Sequence, residues 1–250
     1  MKCIILAAGL GRRLGQDLPK CLLKFNGKTL LERHIDNLLA GGIDEVLIVV
    51  GYQAQAIHDE IKVLGAETQV KTVYNRDYEQ GSVLSLWYAR EYLSCGEDIL
   101  LMDADVMYHP HILERLIKTD VFNCFLLDRD FEMGEEPVKL CVRENVLVEF
   151  RKQLDANLTY DFAGESVGFF KFNGEGAHHL TLKIEEYVKT QRHTEPYEEA
   201  IRDLLLQSPK DFGYEDITGL AWLEIDFPQD IQRAQLQILP KIGELQNKLT

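Results

Sequence analysis

The chain has 250 residues, 46% of them hydrophobic, with a formal net charge of −14 and five cysteines. That size and apolar content suit one large globular unit, and the acidic balance argues against nucleic acid or an anionic membrane surface as partner. No apolar run approaches the roughly 18 residues of a membrane span. The opening segment lacks signal-peptide features and the cysteines lack metal or redox-pair spacing, so a reduced, cytoplasmic protein is the expectation.

In chain order, the apolar runs Cys3–Ala7, Val46–Val50, Val70–Tyr74 and Ile99–Met102 read as buried strands, with helical periodicity between them at Leu30–Ala40, Ala54–Val63 and Val83–Leu93. This βαβα alternation predicts an α/β fold, a Rossmann-like and mainly parallel sheet with helices on both faces. Ligands of such sheets bind beyond the C-terminal strand ends. From residue 120 the strands shorten: Cys124–Leu127, Val138–Val142, Leu147–Phe150 and Val167–Phe172, with a hairpin signal at Arg143-Glu144-Asn145. They suggest a small β-rich lid or substrate subdomain. Helices at Ala177–Thr190 and Pro196–Gln207 precede a last strand, Trp222–Asp226, expected to return to the main sheet. No repeat or linker interrupts the chain.

The stretch LAAGLGRRLG at residues 6–15, closed by Pro19-Lys20, runs from the first strand into a small cationic loop. Gly9 and Gly11 permit backbone angles that open amides towards an anion, and Ala7 and Ala8 add no bulk. Arg12, Arg13, Lys20 and Lys24 supply the charge, Arg as a fixed fork and Lys as a mobile point charge. Residues 1–28 hold six basic side chains against one acid, Asp17, inside an acidic protein. A triphosphate fits that local polarity, although an ordinary strand-to-helix loop with solvated cations would read similarly. A dinucleotide fingerprint fails on spacing, because the sixth place counted from Gly9 is Leu14. Gly27-Lys28-Thr29 is no Walker loop, because Leu22 stands where its first glycine belongs. Asn26-Gly27 is a turn, and Thr29 with Glu32 forms a capping box.

Two acids stand at strand ends: Asp105 in Asp103-Ala104-Asp105, and Asp226 in Leu223-Glu224-Ile225-Asp226. Converging there they could hold Mg²⁺, a hard cation that bridges to phosphate oxygens. Either could instead cap the helix that follows, and Asp103 is expected to order the loop. Gln80-Gly81-Ser82 opens a helix whose N-terminal amides suit base recognition together with Leu6, Ala8 and Gly9, or whose Ser82 simply caps it.

The opening motif, Pro19-Lys20-Cys21-Leu22, Asp105 and the late Ile225-Asp226 together resemble the nucleotidyltransferases of the sugar-phosphate and choline-phosphate type, whose signature is L-A-A-G-x-G-S/T-R with a downstream P-K. The resemblance covers residues 1–110 and resumes at 222–234. It implies the nucleotide-diphospho-sugar transferase-like fold, a phosphate-binding Arg13, a Lys20 that steadies the transferred phosphoryl group, and metal ligands at Asp105 and Asp226. Arg12 departs from the pattern, replacing Ser or Thr. With no repeat or linker in the chain, one domain is expected, with a nucleotide-binding half at 1–120, an acceptor-binding or lid part at 121–221, and a returning strand and C-terminal helix at 222–250.

Glu136-Pro137-Val138-Lys139, Gly164-Glu165-Ser166-Val167-Gly168-Phe169-Phe170 and Trp222–Asp226 look most similar to the cytidylyltransferases that make CDP-alcohols from inositol phosphate, phosphocholine or aminoethylphosphonate. The implied partners are CTP, Mg²⁺ and a small phosphorylated acceptor, with neither nucleic acid nor membrane, and a homodimer is left open. Arg129, Lys139 and Glu165 are acceptor candidates by resemblance. Glu195 and Tyr197, in Glu195-Pro196-Tyr197-Glu198-Glu199, offer acids beside a ring for an ammonium group, or a helix first turn favoured by its dipole. A sugar-1-phosphate nucleotidyltransferase and a glycosyltransferase using Asp103-Ala104-Asp105 are the competing readings.

Overall fold

The computed structural model describes residues 1–15, 17–131 and 134–243. Four parallel strands form its first half: β1 (Lys2–Ala7), β2 (Val46–Val50), β3 (Val70–Tyr74) and β4 (Ile99–Asp103), in the order β4-β1-β2-β3. Alternation along β1 sends Cys3, Ile5 and Ala7 into one core and Ile4 into another. The first core receives helices Leu30–Ala40, Ala54–Val63 and Pro110–Lys118; the second receives Ser82–Tyr88, Gly174–Lys189 and Tyr197–Gln207. Helices thus cover both faces. The helix expected over Val83–Leu93 is broken at Ala89, which sits at φ −89° and ψ 1°.

The later strands are β5 (Asn123–Asp128), β6 (Lys139–Arg143), β7 (Val146–Arg151), β8 (Phe162–Phe172) and β9 (Phe212–Asp216). β8 pairs antiparallel with β4 through Phe169–Phe172, with β6 through Phe162–Glu165, and with β5 on a shifted register. One nine-stranded sheet results, so the β-rich half extends the main sheet. Glu144 and Asn145, at φ 51° and 60°, close the β6–β7 hairpin in the left-handed turn that twisted strands favour.

The last strand corrects an expectation. Trp222–Glu224 does not return to the main sheet but pairs antiparallel with Val106–Tyr108 in a separate ribbon. The reason is topological: β4 is already flanked by β1 and β8, leaving no free edge beside the Asp103–Asp105 turn. A third small core seals the ribbon from below, with Leu14, Leu23 and Phe25 of the N-terminal segment against Met107, Ile225 and Ala234. The chain is helical from Pro228 to Gly243; the rest of the expected C-terminal helix lies outside the described residues. Among the described residues, no helix is long and apolar enough to cross a membrane.

Helix Tyr197–Gln207 is clamped to β7 by a two-pronged pair, Arg202 Nε to Glu149 Oε1 at 2.5 Å and Nη2 to Oε2 at 2.7 Å. Burial raises the Glu149 carboxyl, but the Arg202 hydrogen bonds outweigh it and hold the group below its ordinary value. Replacing Arg202 with Leu strands a mostly buried carboxylate and is expected to cost about 3 kcal/mol in urea unfolding at pH 7, the low end for breaking such a pair. Because the folded carboxyl is depressed, the stabilisation is present above its unfolded pKa and disappears as pH falls through the folded value. The difference between wild type and variant should therefore shrink in acid.

Candidate active site

A cleft of about 470 Å³ opens beyond the C-terminal ends of β1 and β4, lined by Leu6, Ala7, Ala8, Gly9, Gly11, Arg12, Arg13 and Lys20 from the basic loop. Its volume falls in the ordinary range for small-ligand sites. The loop turns through Gly11 at φ +59° into the single helical turn Arg12–Leu14, and Leu14 is buried in the third core. Among the described residues, the amides of Gly9, Leu10 and Gly11 donate to no protein acceptor. The turn therefore presents open donors beside three cations.

Lys20 Nζ lies 2.7 Å from Asp105 Oδ2 and 2.5 Å from Asp226 Oδ1, bridging two acids that stand 121 residues apart. Burial opposes its charge, but Asp105 and Asp226 outweigh that and hold it protonated well above the ordinary lysine value. Arg13 Nη1 reaches the other oxygen of Asp226 at 3.1 Å and Glu136 at 3.2 Å. Neither aspartate caps a helix. His109 Nδ1 accepts the His111 amide at the start of one helix, and Asp230 Oδ2 accepts the Asp226 and Phe227 amides at the other. Both acids are left to face the cleft.

Glu224 completes the group. Ligand oxygens of Asp105, Glu224 and Asp226 lie within 4.8 Å of one another. Although Glu224 as a residue is exposed, desolvation of its carboxyl among the neighbouring acids, then the charges of Asp105 and Asp226, push that carboxyl up to about 8. Three hard oxygen donors, two of them already spanned by the Lys20 ammonium, suit a divalent ion such as Mg²⁺. Sequence reading missed Glu224, although period-two alternation in Glu224-Ile225-Asp226 places both acids on one side. It also missed His34, whose buried ring Nε2 donates to the Ala104 carbonyl at 3.2 Å and so braces the turn between Asp103 and Asp105. Burial pushes His34 down to about 4, which keeps it neutral.

Asp103 stands half-buried in the cleft wall and accepts the Tyr197 hydroxyl at 2.6 Å. Burial raises its carboxyl well above the ordinary value, with Asp105 and Glu198 adding to the effect. Gln80, Gly81 and Ser82 line the opposite wall. Ser82 does not cap its own helix; its hydroxyl accepts the Tyr197 amide at 2.9 Å. A Cβ on Gly81 would meet the His193 carbonyl at 2.5 Å, so glycine is required for this close approach.

The acceptor candidates separate. Glu165 lines a neighbouring chamber with Asp128 and Trp222, and burial followed by the Asp128 charge pushes its carboxyl up to about 7. Tyr197 reaches the cleft. Arg129, Lys139 and Glu195 do not. Arg129 stacks on Phe162, 4.4 Å from the ring centre. Lys139 is buried and donates to the carbonyls of Gly134, Pro137 and Lys152 at 2.6, 3.1 and 2.6 Å, which uses all three of its protons. Glu195 is engaged by both prongs of Arg192. Glu198, one of the acids in the stretch read as offering an ammonium site, lines the cleft and two side chambers, and Lys152, to which the sequence assigns no role, lines the side chambers.

Residues 3–156 match the model of the MobA-like NTP transferase domain. The chain is 27% identical over 96% of its length to the CMP-5'-(3-aminopropyl)phosphonate synthase of Streptomyces rubellomurinus, of which it spans 39%. It is 25% identical over 93% of its length to the CTP:phosphoglutamine cytidylyltransferase of Campylobacter jejuni, of which it spans 98%. The inositol-1-phosphate CTP transferase of T. maritima superposes with a TM-score of 0.78 at 21% identity, over 97% of this chain and 96% of that one. The match to more than half the chain, with its glycine-and-arginine loop and acidic cluster in one cleft, places the protein in the MobA-like NTP transferase family.

Proposed function

We propose that the protein transfers CMP from CTP to a small phosphorylated alcohol or phosphonate and releases pyrophosphate. The observation that carries this reading is the Lys20 ammonium lodged between Asp105 and Asp226, beside a loop of open amides. The names of the Streptomyces and Campylobacter relatives support the cytidine base and the acceptor class. A glycosyltransferase starts from a finished diphosphate donor and has no need of a Lys20 and Arg13 clamp on departing pyrophosphate.

An oxygen of the acceptor's phosphate attacks the α-phosphorus, forming one P–O bond while the bond to the bridging α–β oxygen breaks. The electron pair leaves on pyrophosphate. A phosphate monoester has its second pKa near 6, so it arrives as a dianion and no general base is required. The work is alignment and charge stabilisation. Asp105, Glu224 and Asp226 would hold Mg²⁺, which when bound neutralises phosphate oxygens. Lys20 moves from the carboxylates to the α-phosphate, Arg13 and Arg12 receive the β- and γ-phosphates, and Gly9–Gly11 donate amides to them. Gln80, Gly81 and the Ala8–Gly9 backbone face the base.

Purified protein given each of the four NTPs, Mg²⁺ and a mixed pool of phospho-alcohols, phosphonates and sugar phosphates should release pyrophosphate with CTP and form CDP-linked products by mass spectrometry. Preference for UTP or dTTP with a sugar phosphate would select the sugar-nucleotide reading instead. Lys20→Met should lower kcat about 10²–10³-fold with the fold intact. The same variant lacks the internal cation, so without nucleotide it should bind Mn²⁺, read by electron paramagnetic resonance, more tightly than wild type. Equal Mn²⁺ affinity would remove Lys20 from the metal site.

A further inference from the structure

One turn builds the wall opposite the acids, and its hydrogen bonds fix which way the polar side chains on that wall are oriented. β3 ends at Tyr74, and the chain reverses through residues 75–81 before helix Ser82–Tyr88 begins. Asn75 is fully buried, and its backbone amide donates to the Val50 carbonyl at the end of β2, at 2.8 Å. Its side-chain oxygen accepts the Asp77 amide at 2.9 Å, where the partner can only donate. The other end of the Asn75 side chain is therefore its NH2 group, which donates to the Ser85 hydroxyl oxygen at 3.1 Å. Ser85 lines the cleft, and with its oxygen accepting from behind, its proton is left for a ligand.

Asp77 fixes a second group in the same way. Its Oδ2 accepts the Tyr88 hydroxyl at 2.7 Å, and its Oδ1 accepts the side-chain Nε2 of Gln80 at 3.2 Å. A carboxylate accepts and does not donate, so it selects the nitrogen end of the Gln80 amide and leaves the oxygen end for a ligand. Gln80 lines the cleft, whereas Asp77 stands behind it. The Gln80 backbone amide donates to the Asp77 carbonyl at 2.9 Å, and the adjoining Gly81 lies close against the backbone of His193 and Thr194, so the segment is held from both sides. The wall thus offers one acceptor, Gln80 Oε1, and one donor, the Ser85 hydroxyl. Both polarities derive from Asp77, one from its carboxylate and one from its backbone amide.

The two common pyrimidines differ in these same groups. Cytosine carries an exocyclic amine that donates beside a ring nitrogen that accepts, whereas uracil carries a carbonyl that accepts beside a ring N–H that donates. We infer that Asp77 is a positioning residue for base selection: by engaging the Gln80 amide nitrogen it commits Gln80 Oε1 to the cytosine amine and sets an acceptor against the uracil carbonyl. This rests on the cytidylyl-transfer reading and deepens it. Asp77 touches neither base nor phosphate and acts through Gln80. Two acceptors brought face to face leave both without a donor, and that loss is the discrimination.

Calorimetric titration with CTP, UTP and the triphosphate of pyrimidin-2-one riboside, each with Mg²⁺ near neutral pH, tests this without a phosphoryl acceptor. The third compound keeps the accepting ring nitrogen of cytosine and has hydrogen in place of the amine. Wild type should bind CTP about 10–100-fold more tightly than UTP, with the pyrimidinone compound between them. In Asp77→Asn either end of the new amide can face Gln80, so Gln80 can present either of its own. The CTP-to-UTP affinity ratio should then fall about 10-fold, with UTP gaining and CTP losing, while binding of the pyrimidinone compound is unchanged. Gln80→Leu should bring CTP and the pyrimidinone compound to equal affinity, and Asp77→Asn added to it should change nothing further. Parallel loss of all three ligands in Asp77→Asn would overturn the inference by assigning Asp77 to the scaffold. So would a ratio that Asp77→Asn leaves intact, or lowers equally on the Gln80→Leu background. Should Asp77→Asn not fold, Gln80→Leu decides alone, and a full CTP preference over the pyrimidinone compound would reject the inference. Wild type that prefers UTP would instead overturn the cytidylyl-transfer reading beneath it.

Discussion

A single backbone hydrogen bond, from the Ile225 amide to the Asp105 carbonyl at 2.9 Å, ties together the two turns on which the site depends. It continues the pairing of Trp222–Glu224 with Val106–Tyr108, so register in that ribbon decides where the late acids point. Side chains alternate across a strand, and a slip of one residue would turn Glu224 and Asp226 away from Asp105 and bring Ile225 into the cleft. Ile225 prevents the slip because it is wholly buried in the third core, against Leu14 and Phe25 of the N-terminal segment. The same apolar cluster therefore fixes both partners of the Lys20 bridge: it anchors the turn that carries the cations and the strand that carries the carboxylates.

Concentrating Asp103, Asp105, Glu224 and Asp226 in one cleft is electrostatically unfavourable, and the protein meets the cost in different ways at each acid. Lys20 sits between Asp105 and Asp226, so the site is neutralised from within. Asp103 takes the Tyr197 hydroxyl, and Glu224 is pushed towards its neutral form. These devices are coupled to the fold at large. Tyr197 begins the helix clamped to β7 by Arg202, and its amide is held by Ser82 on the far wall. Gly168, at φ +77°, marks the register shift in β8, and a Cβ there would collide with the Asp103 carboxylate. The irregular point of the longest strand is thus where the sheet makes room for the acid that orders the cleft.

Much of this was legible in the chain. β1 to β4 announced themselves because buried parallel strands are continuous apolar runs, and the Gly9–Gly11 loop because few other sequences place glycines and arginines together directly after a strand. Asp105 and Asp226 stand at strand ends, where position alone singles them out, and the structure brings them to one cleft. What stayed hidden depends on contacts between distant segments. Lys139 and Glu195 have the chemistry of ligand contacts, and only tertiary structure shows that three carbonyls and Arg192 already engage them. The destination of Trp222–Glu224 was misjudged because occupancy of the β4 edges by β1 and β8 is a property of topology, and no local pattern encodes it. His34 braces the Asp103–Asp105 turn from a mid-helix position 70 residues away in sequence, without a local signal.

The two halves of the sheet thus have different tasks. The parallel strands place backbone amides and cations at their C-terminal ends, a geometry that recognises phosphate with little dependence on side-chain identity. The antiparallel extension supplies side chains instead: Phe150 and Lys152 at the end of β7, Glu165 and Phe170 on β8, and Trp222 from the ribbon. Backbone-built recognition tolerates sequence change, whereas side-chain recognition is altered by single substitutions. Helix Tyr197–Gln207 lies between the two, with Tyr197 bonded to Asp103 in the cleft wall and Glu198 lining both the cleft and the neighbouring recess. Side chains around the outer chambers can therefore change while Lys20, Asp105 and Asp226 remain in register.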